Sequence, residues 1–143
     1  MMDGTNSLLI FSLQGSKYAL DLRDVAEVLD PPLIFPIPRA PLFFPGIMNF
    51  HGKLVSVLDL AWFLNRAPRD PHGKVLVLDS RLANLAVWVD MVESIVATND
   101  VLEEDECHES LVVKVLTMAD GELKMLSVEK LLEELEEALS ANG

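Results

Sequence analysis

The chain has 143 residues, 50% of them hydrophobic, and its 11 Lys and Arg against 23 Asp and Glu leave a formal net charge of −12. This excess of acid excludes nucleic acid and anionic membrane surfaces as favoured partners, and no apolar run approaches the ~18 residues of a transmembrane helix. The single cysteine, Cys107, excludes an internal disulfide and favours a reducing, cytoplasmic setting.

The first half of the chain predicts two β-hairpins on either side of a proline-rich loop. Each hairpin consists of two strand-forming segments around a short turn: 8–13 with 17–22, and 46–50 with 53–60. The segment 23–30 predicts one helical turn followed by extended chain, and 61–65 predicts another helical turn. The segment 31–45 contains six prolines among apolar residues, which predicts a stiff loop that packs against the protein's own core or against a partner.

A polar stretch rich in Pro and Gly at 66–73 is the best internal boundary in the sequence. It coincides with a shift in charge, because residues 1–72 carry a net charge of −1 and residues 73–143 carry −11. The first half is therefore nearly neutral and apolar, whereas the second half supplies the solvating charge. The sequence predicts two lobes divided near 66–73.

The second half predicts further short strands and a terminal helix. The strands lie at 74–79, 84–90, 92–97, 111–118 and 123–126. Between them, the acidic segment 98–110 predicts a loop. Ser127 is the predicted N-cap of the helix, whose apolar face follows helical spacing: Val128, Leu131, Leu132, Leu135 and Leu139. About nine or ten short strands with tight turns predict an all-β barrel or sandwich.

The sequence lacks the usual signatures of an enzyme. It has no phosphate-binding glycine motif and no nucleophile elbow, and its histidines lack metal-ligand spacing: His51, His72 and His108. We therefore expect no catalysis, no cofactor and no bound metal. Asp59, at the end of an apolar strand, is predicted to cap the helical turn that follows. Two alternatives stay open: a small β-barrel hydrolase with a carboxylate pair such as Asp59 and Asp90, and a barrel that binds a small molecule between its lobes.

An ordered set of segments resembles the CheW-like domain family. It comprises the opening strands, the block around Pro41 and Gly46, the central strands and the terminal helix: 9–13, 18–21, 25–29, 37–41, 45–52, 54–60, 74–90, 92–96 and 127–132. The resemblance spans residues 8–135. We interpret this span as a single CheW-like domain with tails at 1–7 and 136–143.

The resemblance implies an all-β fold of two intertwined five-stranded SH3-like barrels with a C-terminal helix, and no enzymatic activity. It implies an adaptor in chemotaxis signal transduction, which binds the regulatory domain of a CheA-type histidine kinase and the cytoplasmic tip of methyl-accepting chemoreceptors. Such a protein is cytoplasmic and is recruited to membrane receptor arrays without direct membrane insertion. A CheW-like scaffold in a non-flagellar chemosensory pathway is the alternative within the family.

Two sets of residues match the contact surfaces that the resemblance implies. The kinase-binding set consists of apolar anchors in the proline-rich segment and the strand after it: Pro41, Leu42, Phe43, Phe44 and Ile47. The receptor-binding set consists of Val25, Glu27, Val28 and His51. In the family an arginine stands in place of His51, and it can pair with the glutamate that matches Glu27.

The sequence does not decide which of these apolar residues are buried. The residues of segment 33–50 fit a core and a partner contact about equally well, and so do Val25 and Val28. A charged residue in place of Phe43 is predicted to abolish kinase binding while the fold stays intact.

Overall fold

In the computed structural model, which describes residues 6–142, eleven strands and two α-helices follow one another along the chain. The strands are β1 (Ser7–Leu13), β2 (Ser16–Asp21), β3 (Val25–Leu29), β4 (Gly46–Phe50), β5 (Lys53–Asp59), β6 (Lys74–Leu78), β7 (Leu85–Val89), β8 (Met91–Ala97), β9 (Glu103–Glu106), β10 (Val112–Met118) and β11 (Gly121–Leu126). The helices are α1 (Leu60–Asn65) and α2 (Val128–Asn142), and two short 3₁₀ turns lie at Leu22–Asp24 and Thr98–Asp100. The predicted all-β class with a C-terminal helix is confirmed.

The chain leaves its first compact unit and later returns to it. The first unit ends at Leu22 and resumes at Glu93, and the second unit is the intervening stretch, Arg23–Val92. The stretch 66–73 lies inside the second unit, between α1 and β6, because β6 pairs with β3 and β7 of the same sheet. The lobe boundary predicted near 66–73 is therefore corrected to the two crossings at 22–23 and 92–93.

The first unit contains a six-stranded sheet in the order β8-β1-β2-β11-β10-β9. β1 and β2 form the predicted hairpin, in which Leu8 lies opposite Asp21, and β10 and β11 form another. One core cluster is built from alternate residues of these four strands: Leu8, Ile10, Ala19, Leu116, Met118 and Leu123. Because side chains alternate between the two faces of a strand, each strand contributes one apolar face to this cluster.

The acidic segment predicted as a loop contains β9, an edge strand. β9 pairs antiparallel with β10, and Lys114 on β10 brings its Nζ to 2.8 Å from Glu104 Oε1. These ladder bonds and the cross-strand ion pair stabilise a strand whose four acidic residues have low intrinsic strand propensity. With β9, the sheet of the first unit contains six strands.

The second unit contains a five-stranded sheet in the order β3-β6-β7-β5-β4. Its core cluster consists of residues from β4, β5, β6 and β7: Met48, Val55, Val57, Val75, Val77, Ala86 and Trp88. The helical turn predicted within 23–30 is limited to Leu22–Asp24. The residues after it form β3 because they pair antiparallel with β6.

The proline-rich segment 31–45, here called the proline strap, runs beside the edge strand β4. Phe35 and Ile47 exchange both backbone hydrogen bonds, at 2.8 and 2.9 Å, and form an isolated bridge between the strap and β4. Gly46 follows the strap as the first residue of β4, and a Cβ there would lie 2.3 Å from the Phe35 carbonyl oxygen. Glycine thus permits the close approach of the strap to the sheet.

The helix α2 begins at the predicted N-cap. Ser127 Oγ accepts a hydrogen bond from the Lys130 amide at 3.1 Å, and Val128 is buried together with Leu131 and Leu135 on the same helical face. The helix continues to Asn142, so the predicted tail at 136–143 is helical through residue 142. Of the predicted tail at 1–7, residues 1–5 lie outside the described part of the chain, and Ser7 already belongs to β1.

The division into units separates the charges more sharply than the division at residue 72. Residues 1–22 and 93–143 contain 16 Asp and Glu against four Lys, whereas 23–92 contains seven acidic and seven basic residues. The whole net charge of −12 therefore belongs to the first unit. Lys124 Nζ donates to Glu109 Oε2 at 3.2 Å there, and this hydrogen bond raises the pKa of the Lys124 ammonium.

Candidate functional site

Glu27 and His51 form a carboxylate–imidazole pair, an ion pair when the imidazole is protonated, that joins the two edges of the second sheet. Glu27 lies on β3 and His51 lies in the turn after β4, and their Oε1 and Nε2 atoms are 3.7 Å apart. β3 and β4 are the outermost strands of this sheet. A contact between opposite edges requires the sheet to curl until those edges meet, as they do in a barrel.

A tight turn holds His51 in this position. His51 and Gly52 are the two residues between β4 and β5, and both have positive φ, at 50° and 85°. Such a pair is typical of the turns that match the twist of a hairpin. The Gly52 amide also donates to Asn49 Oδ1 at 2.9 Å. The His51 side chain is 73% exposed, so this turn presents the imidazole to solvent beside Glu27.

A cavity of about 250 Å³, here called the β3 pocket, opens beside this ion pair. Ala26 and His51 belong to its lining. The other lining residues are mostly apolar on the strands and polar near the turns: Phe50, Lys53, Val55, Val77, Leu78, Asp79, Ser80, Ala83, Asn84 and Leu85. An apolar floor with a few polar groups at its rim suits a single apolar side chain from a partner.

Of the predicted receptor-binding residues, His51 lines the β3 pocket, and the other three lie on β3, which contributes Ala26 to the lining. Glu27 and His51 are exposed, and Val28 on the same strand is 40% exposed. Val25 is half-buried where β3 shifts its register against β6. Val28 is therefore not a core residue, and the question that the sequence leaves open is answered for this position.

The predicted kinase-binding residues separate into exposed and buried members. Leu42 is 74% exposed, whereas Pro41, Phe44 and Ile47 are half-buried. Phe43 is only 6% exposed. The prediction that a charge at Phe43 leaves the fold intact is therefore corrected.

The burial of Phe43 follows from aromatic packing. Its ring centroid lies 5.1 Å from that of Phe44 and 5.0 Å from that of Phe63 on α1, the second contact being edge-to-face. Pairs in this geometry contribute stability beyond the area that they bury. Phe43 thus anchors the proline strap to α1, and its neighbour Leu42 is left on the surface.

Leu42 lines a groove of about 420 Å³, here called the Leu42 groove. Its other lining residues come from α1 and the loop after it: Asp59, Trp62, Pro68, Arg69 and Pro71. The groove shares no lining residue with the β3 pocket. The second unit therefore carries two separate concave surfaces.

Asp59 stabilises the wall of the Leu42 groove and is fully engaged in that role. Its Oδ1 accepts from the Trp62 amide at 3.1 Å, and its Oδ2 lies 3.3 Å from Arg69 Nη1. The Arg69 guanidinium in turn lies 4.9 Å from the centroid of the Trp88 ring. The predicted N-cap role of Asp59 is confirmed. One carboxylate oxygen caps α1, and the other forms the ion pair with Arg69.

No metal-binding arrangement and no membrane-spanning helix appear in the part of the chain that the structure describes. Within residues 6–142, no group of three or more His, Cys, Asp or Glu side chains is placed to hold a metal ion. The helices in the same range are too short or too polar to cross a membrane.

Sequence reasoning missed several residues of both surfaces. The walls of the Leu42 groove at 68–71 belong to the stretch interpreted as a lobe boundary, and the rim of the β3 pocket at 79–84 lies in a turn. Pro68 and Pro71 were a usable signal, because prolines this close together stiffen a loop and present an apolar surface.

Comparison with known proteins gives the family. The model of the CheW-like domain matches residues 7–136. The chain belongs to the CheW-like domain family. A "Probable chemotaxis protein CheW" of Rhizobium etli is 24% identical over 99 residues, 68% of this chain and 64% of that relative. The "Chemotaxis protein CheW" of Thermotoga maritima is 24% identical over 133 residues, 90% of this chain and 88% of that relative.

A solved structure shows the same fold. The scaffolding protein TtCheW from Thermoanaerobacter tengcongensis superposes with a TM-score of 0.73 and 22% identity, covering 85% of this chain and 88% of that one. This likeness confirms the fold expected from the resemblance, with its SH3-like barrels. The chain spans just under two thirds of the length of the Rhizobium etli relative.

Proposed function

We propose that this protein is a non-enzymatic chemotaxis adaptor that couples chemoreceptors to a CheA-type histidine kinase. The observation that carries the proposal is the match of the CheW-like domain family to residues 7–136, nearly the whole chain. The names of similar proteins support the same role: two are chemotaxis proteins and one is a scaffolding protein. Contact with receptors would recruit the protein to membrane arrays from the cytoplasm.

The kinase regulatory domain is assigned to the Leu42 groove. Leu42 is the exposed member of the predicted anchor set, and Trp62, Pro68 and Pro71 add a rigid apolar surface around it. Large, rigid apolar residues dominate the energy of most protein interfaces. Phe43 is buried beneath this surface, where it packs against Phe44 and Phe63 and does not contact the partner.

The receptor tip is assigned to the β3 pocket and the ion pair beside it. An amphipathic helix binds by laying one apolar face into a groove, with polar contacts at the edge. The β3 pocket offers an apolar floor for one side chain, with the His51 imidazole in its lining and the Glu27 carboxylate beside His51. Val28 extends the apolar surface along β3.

An adaptor of this kind works by holding two partners at once. Because the β3 pocket and the Leu42 groove share no lining residue, occupancy of one leaves the other accessible. Bridging raises the effective concentration of the kinase near the receptor by orders of magnitude. A receptor state that binds the adaptor differently then shifts the kinase equilibrium without any chemical step.

Calorimetric titration with the regulatory domain of a CheA-type kinase from the same organism tests this proposal. We expect a one-to-one complex with a Kd in the micromolar range. A folded protein that shows no heat of binding and no co-elution with that domain would overturn the assignment. A receptor-tip fragment titrated into the preformed complex is expected to bind as well, since the two surfaces are separate.

Replacing His51 with Arg is expected to tighten receptor binding by about 2- to 5-fold. An arginine at this position is always charged and presents a planar fork of donors to Glu27, but an exposed ion pair contributes only a fraction of a kcal/mol to about 1 kcal/mol. The Kd for a receptor-tip fragment, measured by calorimetry, checks the change.

Glu27→Gln supplies the control for that measurement. The gain from His51→Arg is expected to vanish in the Glu27→Gln background, because the guanidinium then has no carboxylate partner. An equal gain in both backgrounds would show that Glu27 plays no part in it.

A further inference from the structure

The stretch of chain that contains the lining residues of the Leu42 groove is basic, although the protein as a whole is strongly acidic. Residues 31–73 contain four Lys and Arg against two Asp, while the whole chain has a net charge of −12. Both aspartates of this stretch are engaged. Asp59 is matched by Arg69, and Asp70 Oδ1 accepts from the His72 amide at 2.8 Å. The amide hydrogen bond leaves the Asp70 carboxylate charged, so this stretch of chain keeps a net charge of +2.

Arg39 and Arg66 supply that charge next to the walls of the groove. Arg39 precedes the wall residue Leu42 by three positions, in a turn closed by the Ala40 amide bonding to Ile37. Arg66 ends α1, where its amide donates to the carbonyl of the wall residue Trp62 at 2.9 Å. Both arginines are exposed. Among the described residues 6–142, the arginines that form ion pairs with carboxylates include Arg69 and Arg81 but neither Arg39 nor Arg66.

The backbone holds both arginines at the surface. Arg39 and Arg66 have positive φ values of 64° and 54°, a conformation that few non-glycine residues adopt. At Arg66 this conformation terminates α1, and the residue's amide satisfies carbonyls of the last helical turn. The side chains at such turn positions project from the end of the helix or loop, and here they carry cations beside an apolar groove.

We infer that the Leu42 groove receives an apolar side chain flanked by carboxylates, and that Arg39 and Arg66 pair with those carboxylates on the kinase regulatory domain. This inference rests on the proposed function. An apolar groove with an unpaired cationic edge complements a partner surface with an apolar centre and an acidic rim. The arginines set orientation and association rate, while Leu42 and Trp62 supply the buried contact.

Charge reversal of the two arginines tests the inference. Arg39→Glu and Arg66→Glu are each expected to raise the Kd for the kinase regulatory domain by about 3- to 10-fold, mostly through a slower association rate. The double variant is expected to lose the salt dependence of binding that the unmodified protein shows. Calorimetry and stopped-flow association at low and high ionic strength measure both quantities.

Lys130→Glu is the matched control, because it makes the same change in net charge on the exposed face of α2 in the acidic unit. Its Kd is expected to stay within about twofold of the unmodified protein, since exposed charges outside an interface are screened. An equal loss in Lys130→Glu would overturn the local role of the arginines. Arg39→Gln and Arg66→Gln remove the positive charge without adding a negative one. Each is expected to show a smaller loss of affinity for the kinase regulatory domain, and they keep the test valid if the charge-reversed variants misfold.

The outcomes separate this inference from the proposed function. In one outcome, Leu42→Asp abolishes kinase binding while the double arginine reversal leaves it unchanged. That result would keep the adaptor role and overturn the assignment of the arginines to an acidic rim on the partner. Absence of binding by the unmodified, folded protein would overturn both.

Discussion

Replacing Leu42 with Asp is expected to raise the Kd for the kinase regulatory domain at least ~100-fold, because a carboxylate would then be buried against the apolar partner surface. Leu42 is 74% exposed in the free protein, so the substitution removes little internal packing. The melting temperature is therefore expected to stay nearly unchanged. Isothermal titration gives the Kd, and circular dichroism gives the melting curve.

Leu33→Asp is the matched control for this experiment. Leu33 lies in the same proline strap and is likewise 74% exposed, but it does not line the Leu42 groove. Kinase binding is expected to survive the change at Leu33. If both variants lose affinity equally, the partner covers the strap as a whole, and the assignment to the groove fails.

Truncating Phe43 to Ala is expected to cost about 3–5 kcal/mol of unfolding free energy, as is usual for a buried aromatic residue. The Phe43 ring is packed against Phe44 and Phe63, so its removal leaves a cavity between the proline strap and α1. Urea denaturation followed by tryptophan fluorescence measures the loss, since Trp62 and Trp88 belong to the same unit.

The neighbouring Leu42→Ala is expected to change the unfolding free energy by less than about 0.5 kcal/mol, because exposed positions contribute little to stability. A cost below about 1 kcal/mol for Phe43→Ala would contradict the core role of this ring. The difference in unfolding free energy between Leu42→Ala and Phe43→Ala tests directly which of the two side chains the proline strap turns toward the core.

Local signals in the sequence were sufficient for most of the secondary structure. The two hairpins of the first half follow from strand formers around turn residues, and the caps at Asp59 and Ser127 follow from short polar side chains before helical segments. These features depend on interactions between residues a few positions apart, so the pattern of residue types predicts them directly.

The burial of the candidate contact residues could not be predicted in the same way. Leu42 and Phe43 are adjacent apolar residues in a segment whose prolines prevent both helical and strand periodicity. Which of them faces inward depends on Phe63, twenty positions further along the chain. The groove beside Leu42 likewise combines the strap with residues after α1, and no short-range pattern links them.

The sequence by itself determined the types of most elements, the family and the overall charge, since these follow from composition, local spacing and an ordered set of motifs. Only the tertiary structure decided how the elements are grouped. It placed β6 and β7 in the same unit as β3, made an acidic segment into the strand β9, and assigned the whole net charge to one unit. It also brought Glu27 to His51 across the two edges of one sheet. The reason is physical: strand pairing and sheet closure join residues distant in sequence, and their energies arise only when those residues meet.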